Sequence, residues 1–138
     1  NSEQKQEQGY RAEFLEIAQS KQILYVEDNP ANRHLMQSIF KRYLHTLQIV
    51  ETGEAGWEIA LEQDFDLLLI DINLPGMDGK ELTKKLRETD RYKDKPIVAV
   101  TAAAMSHDTE LDKGLFDSYI TKPIEISDLI KVLNKLIE

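Results

Sequence analysis

The sequence predicts an α/β fold built on a parallel sheet, and three observations predict it. Short apolar runs recur along the chain without the in-out alternation of a sheet that faces water on one side. Stretches with helical apolar spacing lie between them. Several of the runs end in a charged or hydroxyl residue, as strands that deliver side chains to a ligand edge do. Strands alternating with helices specify a parallel sheet with right-handed crossovers.

The elements follow in order from Lys21. Ile23-Leu24-Tyr25-Val26 reads as the first strand. Asn29 is an N-cap for the next helix and Pro30 occupies its first turn, where a missing N–H costs nothing. Leu35, Met36, Ile39, Phe40, Tyr43 and Leu44 make its apolar stripe. Leu47-Gln48-Ile49-Val50 is a second, weaker strand, followed by a less sharply patterned helix over 53–63. Leu67-Leu68-Leu69-Ile70 is the third strand. Asp78 and Glu81 have capping-box spacing before Leu82 and Leu86. Ile97-Val98-Ala99-Val100 is the fourth strand, and Ser106 caps a short helix carrying Leu111. Asp117-Ser118-Tyr119-Ile120 is a marginal fifth strand. Ser127 or Asp128 starts a last helix with Leu129, Ile130, Leu133, Leu136 and Ile137. These are five strands and five helices.

Composition narrows the function. The chain has 138 residues, which suits one domain. Its net charge of −8 argues against a nucleic-acid surface, which needs clustered Lys and Arg. The absence of cysteine excludes a disulfide scaffold, a thiol nucleophile and a cysteine zinc site, and fits a cytoplasmic, reducing compartment. No apolar run is long enough to span a membrane, and the first residues lack the apolar core of a signal peptide. Residues 1–20 read as a tail or linker ahead of a domain at 21–138. Within the tail, Tyr10, Phe14, Ile17 and Ala18 share one helical face. Two readings stay open: incidental helicity, or the end of a helix connecting to an upstream domain.

The strand ends carry the chemistry. The first run leads into Glu27-Asp28, the third into Asp71, the fourth into Thr101, and the fifth into Thr121-Lys122-Pro123. In a parallel sheet all of these meet at one edge. Two carboxylates about 4 Å apart repel by about 4 kcal/mol at an effective dielectric of about 20. A bound cation or a raised pKa offsets that repulsion. Oxygen-only ligands select a hard ion, Mg²⁺ or Mn²⁺, on Asp28 and Asp71 with Glu27 in or beside the shell. A metal does not account for Lys122 or Thr101. A carboxylate that accepts a phosphoryl group does, because its oxygens then need a cation and a hydroxyl donor beside the metal.

These residues resemble the receiver domains of two-component signalling. Tyr25-Val26-Glu27-Asp28-Asn29-Pro30 resembles their first-strand acid pair, and Asp71 to Gly79 their phosphorylation loop. Thr101-Ala102-Ala103-Ala104 and Lys122-Pro123 match their switch threonine and their Lys-Pro. The resemblance covers residues 21–138 and implies a flavodoxin-like sheet in the order 2-1-3-4-5. It implies that Asp71 is the phosphoacceptor, fed by a phosphohistidine on a histidine kinase or histidine phosphotransfer domain. It further implies that Asp28 binds Mg²⁺ directly, Glu27 through water, and Asn73 through its backbone carbonyl. Lys122 would pair with the phosphoryl oxygens, and the Lys122–Pro123 bond would be cis. Thr101 would shift toward the phosphate and Tyr119 turn inward, while Asn73 and Ala103 would influence phosphate lifetime. One departure is that the acid pair is Glu-Asp rather than the commoner Asp-Asp.

Simpler readings exist for single residues. Asp28 alone could cap a helix, and Lys122 alone could be a solvated lysine. Tyr119 alone reads as a half-buried aromatic, and Trp57 as packing. His34, His45 and His107 read as scattered surface histidines, and the charge run from Arg87 to Lys95 as a solvated helix end and loop. Three rival functions compete with the receiver. A flavin binder would meet the repulsion of Glu27-Asp28. An aspartyl-nucleophile phosphatase would want a carboxylate at the position of Asn73. A receiver-like scaffold that no longer uses phosphate would be expected to lack an acid, the Thr or the Lys. An upstream connecting helix without an initiator Met, and the Val-Glu-Asp-Asn-Pro style, favour the C-terminal receiver of a hybrid sensor kinase, cytoplasmic within a membrane-tethered parent, over a stand-alone receiver. By the same analogy, copies would self-associate through the helix after the fourth strand, the fifth strand and the last helix.

Overall fold

The computed structural model describes residues 20–43, 45–102 and 114–137. Its elements are β1 (Gln22–Val26), α1 (Pro30–Phe40), β2 (Thr46–Val50), α2 (Gly53–Glu62), β3 (Leu67–Asp71), α3 (Gly79–Arg87), β4 (Ile97–Thr101), β5 (Ser118–Thr121) and α4 (Ile126–Ile137). All strand pairs are parallel, and the sheet order is β2-β1-β3-β4-β5. This is the flavodoxin-like order that the resemblance implied. Four of the five expected helices lie among the described residues. The helix expected from Ser106, Ala103, His107, the Tyr10–Ala18 face and part of the expected self-association surface fall outside them.

The unalternating runs now have a physical reason. Successive residues of a strand point to opposite faces of the sheet. Ile23 and Tyr25 of β1 pack with Leu67, Leu69, Val98 and Val100 beneath α1 and α4. Leu24 and Val26 pack with Leu68, Ile70, Ile97 and Ala99 beneath α2 and α3. Both faces are covered, so both registers must be apolar. The weaker runs at β2 and β5 are the two edge strands of the sheet and are largely half-buried.

The turns at the ligand edge are set by caps. Asn29 accepts from the Asn32 N–H at 3.1 Å, Thr52 from Ala55 at 3.0 Å, and Asp78 from Glu81 at 2.8 Å. Thr52 is a cap that the sequence pattern does not single out. The last helix starts earlier than expected: Leu129 N donates to Glu125 O, so Ser127 and Asp128 lie inside its first turn rather than at its start. Gly79, the first residue of α3, is pressed against the end of β3. A Cβ there would overlap the Asp71 carbonyl and come within 2.7 Å of Ile72 Cα. Only glycine permits that approach, and it holds the loop after Asp71 close to the sheet.

The charge run from Arg87 to Lys95 is not simply solvated. Arg87 donates to the carbonyls of Leu115, Tyr92, Lys93 and Lys95 and pairs with Asp117 at 2.9 Å. Arg91 binds the carbonyls of Ala60, Leu61 and Gln63 at the C-terminal end of α2. Carbonyls left over at a loop and a helix end recruit these guanidiniums, a tertiary effect that local composition does not display. Trp57 is half-buried against the core, with Lys85 Nζ 4.7 Å above its ring, which is a packing role. No helix among the described residues is long and apolar enough to cross a membrane.

Candidate functional site

Register brings the predicted residues to one edge. Val26 pairs with Ile70, so Glu27 follows beside Asp71. Thr101 pairs with Thr121, so Lys122 emerges next to the end of β4. Glu27 N donates to Val50 O and Lys122 N donates to Thr101 O, which extends both ladders to the site.

One carboxylate oxygen each from Glu27, Asp28 and Asp71 lies within 4.8 Å of the others. Glu27 and Asp71 are buried, and Asp28 is exposed at the mouth. Asp28 does not cap α1, since Asn29 does. Lys122 Nζ bridges the two buried acids, at 2.8 Å from Glu27 Oε1 and 2.9 Å from Asp71 Oδ2. The other Asp71 oxygen, Oδ1, accepts from Asn73 N–H at 3.0 Å. An open cleft of about 670 Å³ lies alongside, lined by Asp28, Ile72, Asn73, Leu74, Pro75, Asp78 and Lys80. Thr101 is buried at the end of β4, one residue beyond the partner of Asp71. Tyr119 is half-buried on β5, its ring 5.8 Å from that of Phe116. The Lys122–Pro123 bond is cis.

Two polar contributors are not evident from the sequence. Tyr25 lies inside an apolar run, yet its hydroxyl donates to Glu27 Oε1 at 2.7 Å. Arg33 donates to the backbone carbonyls of Glu27 and Asp28 at 3.2 and 2.7 Å and pairs with Glu51 at 3.1 Å. The i, i+2 spacing of Tyr25 and Glu27, which puts both on one strand face, is the available signal. His34 is exposed as expected. His45 is a correction: it is buried, and its Nδ1 accepts from Lys21 N–H at 3.1 Å, because it sits where β1 and β2 begin.

Burial raises the Asp71 pKa, and Glu27 adds to the rise against the opposing bonds from Lys122 and Asn73. Burial pushes Glu27 the same way, but hydrogen bonds with Asp71, Lys122 and Tyr25 outweigh it and hold its carboxyl below the usual range. Burial works to lower Lys122, and the two carboxylates overcome it and raise its pKa. Burial first, and Glu27 after it, raise the Tyr25 phenol well beyond its ordinary value. Three acids share this edge with one lysine. All the side-chain donors are hard oxygens, so the cluster fits a divalent cation of the Mg²⁺ type.

A steep loss of stability follows on the alkaline side. Tyr25, Tyr92 and Lys122 all have raised folded-state values, against ordinary ones of 10.0, 10.0 and 10.5. Above these the unfolded chain releases protons that the folded chain keeps, so stability falls as pH rises. Each group contributes up to about 1.4 kcal/mol per pH unit. Chemical denaturation across about pH 9 to 11.5 checks this, with Tyr25→Phe expected to flatten the slope.

A five-stranded parallel sheet in this order, with three acids and a lysine gathered at its carboxyl edge, defines a receiver module of two-component signalling. The response regulator receiver domain family matches residues 23–134, and the chain belongs to it. It is 39% identical over 118 residues to the sensor protein GacS of Pseudomonas syringae pv. syringae, covering 82% of this chain and 13% of GacS. It is 34% identical over 114 residues to the polar-differentiation response regulator DivK of Brucella anthropi, covering 82% of this chain and 93% of DivK. The chain thus spans a small part of one relative and nearly all of the other. Among solved structures, it is similar to the receiver domain of sensor histidine kinase PA1611 from Pseudomonas aeruginosa PAO1, with a TM-score of 0.78 and 31% identity over 86% of this chain and 98% of that one. That crystal structure has a magnesium ion coordinated in its active-site cleft.

Proposed function

We propose that the chain is the phosphoacceptor switch of a phosphorelay, with Asp71 receiving a phosphoryl group from a phosphohistidine. The observation that carries this reading is the setting of Asp71. It is a buried carboxylate 2.9 Å from Lys122, clustered with two further acids. One Asp71 oxygen forms a bond to phosphorus as the bond from phosphorus to the imidazole nitrogen breaks, and the bonding pair leaves with the imidazole.

Glu27, Asp28, Asp71 and the Asn73 backbone carbonyl would hold Mg²⁺, which supplies positive charge to the phosphoryl oxygens when bound. Lys122 offers its ammonium to the same oxygens, and Thr101, at the end of β4, would donate its hydroxyl. Movement of Thr101 toward the phosphoryl group would leave room for Tyr119 to turn inward, changing the face presented by β4 and β5.

The donor would be a histidine kinase or histidine phosphotransfer domain. The similarity to GacS supports placement as the receiver of a hybrid sensor kinase. Incubation with acetyl phosphate and Mg²⁺, followed by intact mass measurement, tests the reading. One phosphoryl group is expected with Mg²⁺ and none with chelator. No uptake under conditions where calorimetry shows Mg²⁺ bound would favour a scaffold instead.

A further inference from the structure

Glu27 poses a packing problem that an aspartate in its place would not. It has one more rotatable bond, and its carboxylate is completely buried. A buried carboxylate needs its oxygens satisfied. Oε1 accepts from Tyr25 OH at 2.7 Å and lies 2.8 Å from Lys122 Nζ. Oε2 accepts from Asn29 N–H at 3.3 Å. A carboxylate offers about four lone-pair directions. Tyr25 and Lys122 fill both on Oε1, so the remaining acceptor capacity lies on Oε2.

The phenol is equally dependent on the acid. Tyr25 is wholly buried among Ile23, Leu67, Leu69 and Val98, and its hydroxyl is bonded to Glu27. The two residues stand two apart along β1 and its continuation, so their side chains leave the same face of the sheet. The bond therefore ties the acid pair to the core beneath α1, and it fixes the extra torsion of the glutamate.

We infer that Tyr25 is a positioning residue for the metal site, matched to glutamate at position 27. It holds the Glu27 carboxylate so that Oε1 engages Lys122 and Oε2 remains available to the cluster. Aspartate at this position would be too short to keep the bond and would strand the Tyr25 hydroxyl in the core. The inference rests on the Mg²⁺ reading above.

The test is a double-variant cycle of Tyr25→Phe, Glu27→Asp and the two combined. Mg²⁺ affinity is read by calorimetry and stability by thermal unfolding. Tyr25→Phe is expected to weaken Mg²⁺ binding about tenfold, the low end of the range for groups that orient a ligand rather than form one. The combined variant is expected to bind Mg²⁺ no more weakly than Glu27→Asp alone, and to unfold at a higher temperature than Glu27→Asp, because the stranded hydroxyl is gone. Mg²⁺ affinity of Tyr25→Phe within about twofold of wild type, or effects that simply add in the combined variant, would overturn the inference. Wild type that binds no Mg²⁺ would overturn the underlying metal reading, and this inference with it.

Discussion

With Asp71 replaced by Asn, the chain is expected to take up no phosphoryl group from acetyl phosphate in the presence of Mg²⁺. The carboxamide has no anionic oxygen to form the acyl phosphate, so the loss is complete rather than partial. A second effect runs the other way. Burial and Glu27 raise the Asp71 pKa in the folded chain. For a raised acid, stability is fully present below the ordinary value of 3.8 and is lost as pH rises through the folded value. Ionising Asp71 therefore costs the folded chain stability. The amide removes that charge while Lys122 keeps its contact with Glu27. The variant is expected to be more stable than wild type without Mg²⁺, and to gain less from added Mg²⁺. Uptake that persists in Asp71→Asn would assign the nucleophile elsewhere. Lower stability at neutral pH without the ion would refute the repulsion account.

Replacing Lys122 with Met is expected to cost about 3 kcal/mol of stability at neutral pH, the scale of breaking a buried ion pair from one side. The lysine stem crosses to two buried carboxylates, and methionine keeps much of the volume while removing the charge. Glu27 and Asp71 then face each other without a cation, and both pKa values rise. Raised acids give up stability as pH rises, so the deficit is expected to shrink toward about pH 5 and to shrink when Mg²⁺ is added. Phosphorylation is expected to fall roughly a hundredfold, comparable to removing one donor from an anion-stabilising site. Urea titrations at several pH values, with and without Mg²⁺, decide the stability claim. A deficit independent of both would mean that Lys122 acts through packing.

The fold was legible because its main signal is local. β3 and β4 are buried at every position, so their runs stand out as unbroken apolar sequence. Asn29, Pro30 and Asp78 occupy cap positions whose chemistry is written within three residues. The start of α4 is misleading in sequence because Ser127 and Asp128 are good caps in isolation, while the chain turns helical before them, at Ile126. The convergence of Glu27, Asp28, Asp71 and Lys122 could be anticipated only because parallel topology sends every strand end to one edge.

The sequence by itself determined the order of elements, the two-sided cover of the sheet and the candidate acids, since each follows from spacing along the chain. Tertiary structure alone decided which groups satisfy one another. Tyr25 looks apolar in its run and is the hydrogen-bond donor to Glu27. His45 looks like a surface residue and is buried against Lys21. Arg87 looks solvated and gathers carbonyls from two loops. In each case the partner is set by a distance through space that sequence separation does not encode. The cost of an unpaired buried polar group then selects the one arrangement that leaves these groups satisfied.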